Sequence, residues 1–185
     1  MMDGSVTARR RVVVIGIGNE FRRDDGVGPE VLTRLRGQAA GSAPSAGAVR
    51  PETVQAGTVQ AGTVQLVTSD GEPASLIEAW TGAALAVVVD AVLADPPSPG
   101  RLHRLVLDRP DRPDLRQVSS HGLGLDEAIG LARALDRMPD RLIIHAVEAG
   151  DVGHGVGFTP AVAAAVAPLT AAVLRDLSEA GSPVP

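Results

Sequence analysis

A few carboxylates and one imidazole carry the chemistry of this 185-residue chain: Asp24 and Asp25, Asp70, Asp90, Glu148 and His121. Asp90 interrupts the apolar run Val87-Val-Val-Asp-Ala-Val92, and an unpaired carboxylate in such a run costs several kcal/mol. It therefore caps a helix, pairs with an Arg, or works in a cleft. Asp25, Asp90 and His121 together make an O, O, N donor set. The chain has no Cys, so thiolate metal sites, disulfides and cysteine nucleophiles are closed to it. A divalent ion such as Zn, Ni or Co would have to be held by carboxylate and imidazole.

Other motifs are incomplete or absent. Gly16-Ile-Gly18 begins a dinucleotide-binding G-x-G-x-x-G, but Phe21 holds the third glycine position. The phosphate cradle is then incomplete, and the following helix is not expected to approach the strand in the usual way. Neither a G-x-S-x-G elbow nor H-E-x-x-H occurs. His103 and His145 fall in strand-like runs and read as structural; His154 falls in a Gly-rich loop and reads as a spare ligand or a solvated side chain.

The elements that must position these residues follow from hydrophobic periodicity. Arg11 to Ile17 is a continuous β-branched run, the pattern of a strand buried on both faces. A loop with Asn19, the only Asn, and with Asp24 and Asp25 follows, and Val27 to Arg36 has helical spacing. Thr-Val-Gln then occurs three times at period five, from Thr53, Thr58 and Thr63, which fits neither a helical nor a strand face. We read 38–62 as a low-complexity insertion loop, with Thr63 to Thr68 alone joining a strand. Further elements are a helix from Ala74 to Trp80 entered through Pro73, a strand from Ala83 to Val92, and an edge strand from Arg101 to Leu107. A helix capped by Ser119 or Ser120 runs to Leu135, a strand covers Leu142 to Val147, and a final helix covers Pro160 to Leu177, with a tail at 178–185.

This order implies a single α/β domain with its core at about 11–177, three-layered around a mostly parallel twisted sheet of about five strands with helices on both faces. Ligands bind such sheets beyond the carboxyl ends of the strands, where Asn19, Asp24, Asp25, Asp70, Asp90 and Glu148 collect and where His121 could join them. A net charge of −5, two Phe, one Trp and no Tyr argue against nucleic acid as a partner. Apolar stretches such as Ala161 to Pro168 fall short of a membrane span, and no signal-type segment is apparent. The expectation is a cytoplasmic monomer.

Four blocks in order carry a resemblance: Gly16-Ile-Gly-Asn-Glu-Phe-Arg-Arg-Asp-Asp-Gly-Val-Gly28, Asp70-Gly-Glu-Pro-Ala74, Val87-Val-Val-Asp-Ala-Val92 and Ser119-Ser-His-Gly-Leu-Gly-Leu125. They resemble the signature blocks of the [NiFe]-hydrogenase maturation proteases, whose fold is phosphorylase/hydrolase-like. The resemblance implies an aspartic-type or metal-assisted endopeptidase that removes a C-terminal extension from the hydrogenase large-subunit precursor after nickel insertion. It further implies that nickel, supplied by the substrate and replaceable by another divalent metal, is contacted by Asp25, Asp90 and His121. Some members carry Glu at the position of Asp25, one methylene longer, and a more Gly-rich turn after the position of Asp70. With no Ser or Cys nucleophile apparent, an activated water would attack, and Asp24, Asp25, Asp70 and Asp90 are the acid and base candidates. Two other readings are a non-catalytic docking protein for nickel-loaded partners and a nucleotide-binding domain.

Overall fold

The computed structural model describes residues 11–41, 58–61, 64–108 and 124–181. β1 (Val12–Ile17) leads through a 3-10 turn at Arg23–Gly26 into α1 (Val27–Gly41). Then come β2 (Thr58–Ala61), β3 (Val64–Ser69), α2 (Pro73–Trp80), β4 (Leu85–Val92), β5 (Leu102–Asp108), α3 (Gly124–Ala134), β6 (Arg141–Glu148) and α4 (Pro160–Gly181). The sheet order is β2-β3-β1-β4-β6-β5. β3, β1, β4 and β6 run parallel, and antiparallel β2 and β5 close the two edges.

Two buried layers hold the sheet. Val14, Val87 and Ile143 face Val31 and Leu32 of α1 and Val166 and Leu169 of α4. Residues of opposite parity, Val13, Ile15, Val88 and Ile144, face Leu76 and Trp80 of α2 and Ile129 of α3. Strand alternation thus sorts the buried residues of the central strands to one helix layer or the other. The three-layer α/β arrangement is the expected one, with one strand more.

The sixth strand comes from the repeat. Residues expected to form a loop instead make β2, which holds the second Thr-Val-Gln copy and pairs antiparallel with β3 from Thr58↔Val67 to Ala61↔Val64. Thr and Val favour a pleated surface, and the pair Ala61↔Val64 leaves only two residues between the strands, the number a tight hairpin needs. The insertion is also shorter than expected at its start, because α1 continues through Ala39 and Ala40, both strong helix formers. α4 likewise runs past residue 178 to Gly181, with the Ser178 hydroxyl bonded to the Leu174 carbonyl. α3 begins at Gly124; the expected caps Ser119 and Ser120 lie outside the described residues.

By length and composition Pro160–Glu179 would suffice to cross a membrane, contrary to the reading of its short apolar stretches. In the fold it is a core helix: Val162, Val166, Leu169 and Val173 are buried against the sheet. Its buried Asp176 accepts from Arg104 at 2.6 Å and contacts His145 Nε2 at 2.6 Å. Burial opposes ionisation of Asp176, but the bonds to Arg104 and His145 outweigh it and hold the carboxyl below its ordinary value. Burial lowers the His145 pKa. The cluster therefore reads as an Arg–carboxylate pair with a neutral His donating to it.

α1 does approach β1 closely, contrary to expectation. A Cβ on Gly16 would lie 2.6 Å from the Gly28 carbonyl oxygen, and one on Gly28 would overlap the Ile17 backbone. Gly28, the second residue of α1, does what the missing glycine at position 21 does in a dinucleotide fold. Gly28→Ala should accordingly cost about 2–3 kcal/mol by overpacking. A lowered urea midpoint would show it; an unchanged midpoint would mean that the helix can shift away freely.

Candidate active site

The chain leaves β1 toward β3 on one side and returns to β4 on the other, so the strand order reverses between β1 and β4. A crevice opens at the carboxyl ends of strands where such a reversal occurs. Asp25 follows β1 and Asp90 lies near the end of β4, one on each side of that crevice.

The loop after β1 folds back tightly. Gly18 has φ +125°, and a Cβ there would collide with the Asp25 carbonyl. The Asn19 amide donates to Asp25 Oδ2 at 3.0 Å, and the Asn19 side-chain oxygen accepts from the Phe21 amide at 2.9 Å. Arg22 Nη1 stands 3.9 Å from the same Asp25 oxygen. The Asp25 side chain is 21% exposed, reachable yet held.

Asp90 shares strand parity with Ala86 and Val88 and so faces the α2–α3 side. Its Oδ1 accepts from the Ala91 amide at 2.8 Å. Burial pushes its pKa up from 3.8 to about 7; the Ala91 bond opposes the rise and the nearby charge of Asp25 adds to it. The two residues selected from the sequence are therefore within electrostatic reach of one another.

Asp24 and Asp25 are adjacent, but the 3-10 turn sends their side chains to different places. Asp24 is fully buried. Its Oδ1 accepts from the Thr159 amide at 2.7 Å, and its Oδ2 from the amides of Gly150 and Asp151 and the Thr159 hydroxyl at 2.9, 3.0 and 2.9 Å. Every one of these donors lies between β6 and α4, and the carboxylate sits at the N-terminal end of α4, where negative charge is favoured. Asp24 is thus a structural clamp, not an acid or base for a substrate.

Asp70 lies at the same edge of the sheet but is exposed, and its Oδ1 accepts from the Glu72 amide at 3.1 Å. That turn carries Gly71, against whose carbonyl the α3 start at Gly124 is pressed. Glu148 is buried and already engaged, with Oε1 2.7 Å from His103 Nε2 and Oε2 accepting from the Ser98 amide at 2.7 Å. The His103 contact holds the Glu148 carboxyl below its ordinary value, against a smaller effect of burial. Glu148 thereby drops out of the candidate set.

Among the described residues no group of three His, Cys, Asp or Glu side chains could hold a metal ion. His121, the third expected contact, lies outside the described residues. Asp25 and Asp90 bring two carboxylates to this end of the sheet, and carboxylate oxygens are a donor type that suits a divalent ion. Residues unmarked by sequence reasoning are Arg22, beside Asp25, and Thr159, whose hydroxyl anchors Asp24. An exposed Arg and a Thr at a helix start carry no signal that separates them from ordinary surface residues.

Comparison with known proteins bears on the whole arrangement. A family model for hydrogenase maturation proteases matches residues 52–176, which include Asp70, Asp90 and His121 but not the block with Asp25. No curated protein sequence matches. In structure the chain is similar to the hydrogenase maturating endopeptidase HybD from E. coli, with TM-score 0.67 and 20% identity over 92% of this chain and 94% of that one. It is similar to the solution structure of an endopeptidase from Escherichia coli, with TM-score 0.70 and 21% identity over 92% and 94%. The [NiFe] hydrogenase maturation protease HybD from Thermococcus kodakarensis aligns with TM-score 0.61 and 20% identity over 89% and 97%. At these identities the solved structures show the shared fold. With the family match spanning more than half of its length, the chain belongs to the hydrogenase maturation protease family.

Proposed function

We propose that this chain is an endopeptidase that removes the C-terminal extension of the nickel-loaded [NiFe]-hydrogenase large-subunit precursor, with Asp25 and Asp90 as its reacting carboxylates. The observation that carries the reading is the meeting of Asp25 and Asp90 at the strand-order reversal, with Asp90 titrating at about 7. A carboxyl that exchanges its proton near neutrality can take one from an attacking water and return it to the departing amine. Peptide hydrolysis needs both transfers.

Nickel enters as cargo of the precursor, and Asp25, Asp90 and His121 are its proposed contacts. Carboxylate and imidazole suit that ion in a chain without thiolates. His121 stands three residues ahead of Gly124, which is pressed on Gly71 at this end of the sheet. Asp70, whose carboxylate holds the Gly71 turn, is on this reading a positioning residue for the segment with His121. An unloaded precursor lacks the metal contact, so cleavage acts as a check that insertion is complete.

The test is processing of the purified precursor with and without nickel, read by intact mass. The nickel-loaded subunit should lose a C-terminal peptide and the nickel-free one should not. A loaded precursor of unchanged mass would overturn the proposal.

A further inference from the structure

A concavity of about 370 Å³ lies between the start of α1 and the loop after β6, lined in part by Glu20, Phe21, Arg23 and Gly26 of the loop that carries Asp25. Its lining includes Glu20, Phe21, Pro29, Val156 and Phe158. Phe21 and Phe158 are the only two Phe in the chain, and the one Trp, at the end of α2, is fully buried. Phe21 is 62% exposed and Val156 76%, the two most exposed large apolar side chains among the described residues. A chain this poor in aromatics that sets one in water beside an exposed Val is presenting a contact surface.

The surface is also preorganised. The Gly155 amide donates to the Phe21 carbonyl at 2.9 Å, and the Arg23 amide donates to the Gly155 carbonyl at 2.9 Å. These bonds knit the two loops into a short ribbon, so little ordering cost remains when a partner binds. The charges around the groove are unequal. Arg23 is matched by Asp151 at 3.3 Å and Glu30 by Arg34 at 2.8 Å, whereas Glu20 is exposed and forms no ion pair among the described residues. One uncompensated carboxylate beside an apolar groove is complementary to a bulky apolar side chain flanked by a cation.

We infer that this groove is an exosite for the folded body of the precursor, receiving a surface segment that carries an aliphatic or aromatic side chain next to Arg or Lys. The inference rests on the function proposed above. Phe21, Val156 and Phe158 hold the apolar side chain and Glu20 meets the cation. The loop that carries Asp25 also lines this groove, so a precursor docked here is held beside a proposed reacting carboxylate. Binding energy gathered away from the cleaved bond then selects the correct subunit.

The probe is the nickel-loaded large-subunit precursor with steady-state processing by the wild type, by Phe21→Ser/Val156→Ser and by Glu20→Arg. Both variants alter exposed side chains and should melt as the wild type does. The double variant is expected to raise KM about tenfold or more with kcat within about twofold, and Glu20→Arg to raise KM and weaken its salt dependence. If the wild type processes the precursor and both variants keep its KM, the exosite is refuted while the proposed function stands. If the wild type processes nothing, the function proposal itself fails. If light scattering shows that the wild type is a dimer and the double variant a monomer, the groove joins two copies of this chain and the exosite is again refuted.

Discussion

Asp24→Asn is expected to lower the stability of the protein by about 3–4 kcal/mol, the largest loss among substitutions of its carboxylates. The wild-type carboxylate accepts four hydrogen bonds in a fully buried position. An asparagine must aim its NH2 group at one set of those donors. If it faces Thr159, one buried N–H is orphaned; if it faces Gly150 and Asp151, two are. Each unsatisfied buried group costs about 1–3 kcal/mol, and the remaining bonds lose their charge assistance. At about 2–4 °C per kcal/mol for a chain of this size, the melting temperature should fall by about 10 °C. Hydrogen exchange should show the 3-10 turn and the loop after β6 opening together, because Asp24 joins them. Thr159→Val, which removes one of the four bonds, should cost about 1 kcal/mol. A thermal midpoint for Asp24→Asn within a degree of the wild type would show that Asp24 is not the clamp.

Asp90→Asn should do the reverse, stabilising the protein while abolishing processing. In the unfolded chain Asp90 ionises at its ordinary value of 3.8, and in the folded protein at about 7. Between those values folding takes up a proton, so stability declines as pH rises through the interval, and above about 7 the whole cost of the buried charge is present. That cost is at most about 4 kcal/mol, and partial exposure of the side chain reduces it to about 1–2 kcal/mol. Asparagine keeps an oxygen for the Ala91 amide and carries no charge. The variant should therefore melt several degrees higher above pH 7 and gain nothing near pH 4. Processing should fall by at least about 10³-fold, since neither proton exchange nor a charged oxygen contact to the cargo ion remains. Co-sedimentation of the inactive variant with loaded precursor would separate catalysis from docking: retained binding without turnover fits an endopeptidase. Wild-type processing rates with Asp90→Asn would refute the assigned role, and a melting point independent of this substitution at pH 8 would refute the strained carboxyl.

Much of the architecture was legible from side-chain pattern alone. A continuous β-branched run identified β1 as a buried strand, apolar runs identified β4 and β6 as strands, and the partly alternating segment from Arg101 to Leu107 identified an edge strand, because burial on two faces or one leaves a direct mark on composition. The ends of α1 and α4 were not, since small and polar residues such as Ala39 and Ser178 are compatible with helix or loop until a neighbouring turn extends through them. β2 was hidden for a related reason. A repeat of period five has no amphipathic signature, and only pairing with β3 makes a strand of its second copy.

The site divides in the same way. Asp90 was visible because an acidic residue inside an apolar strand is an energetic anomaly that one-dimensional context already exposes. Asp25 could be named with it, yet nothing local distinguishes Asp25 from Asp24, since both are acidic loop residues one position apart. Their opposite fates depend on a 3-10 turn and on donors more than a hundred residues away at Gly150, Asp151 and Thr159. Glu148 was removed from the chemistry by His103 and Ser98 across the sheet edge. Composition and periodicity report what each residue does to its own segment. Which carboxylate is clamped and which is left to react depends on long-range hydrogen bonds, and those exist only once the chain has brought distant donors together.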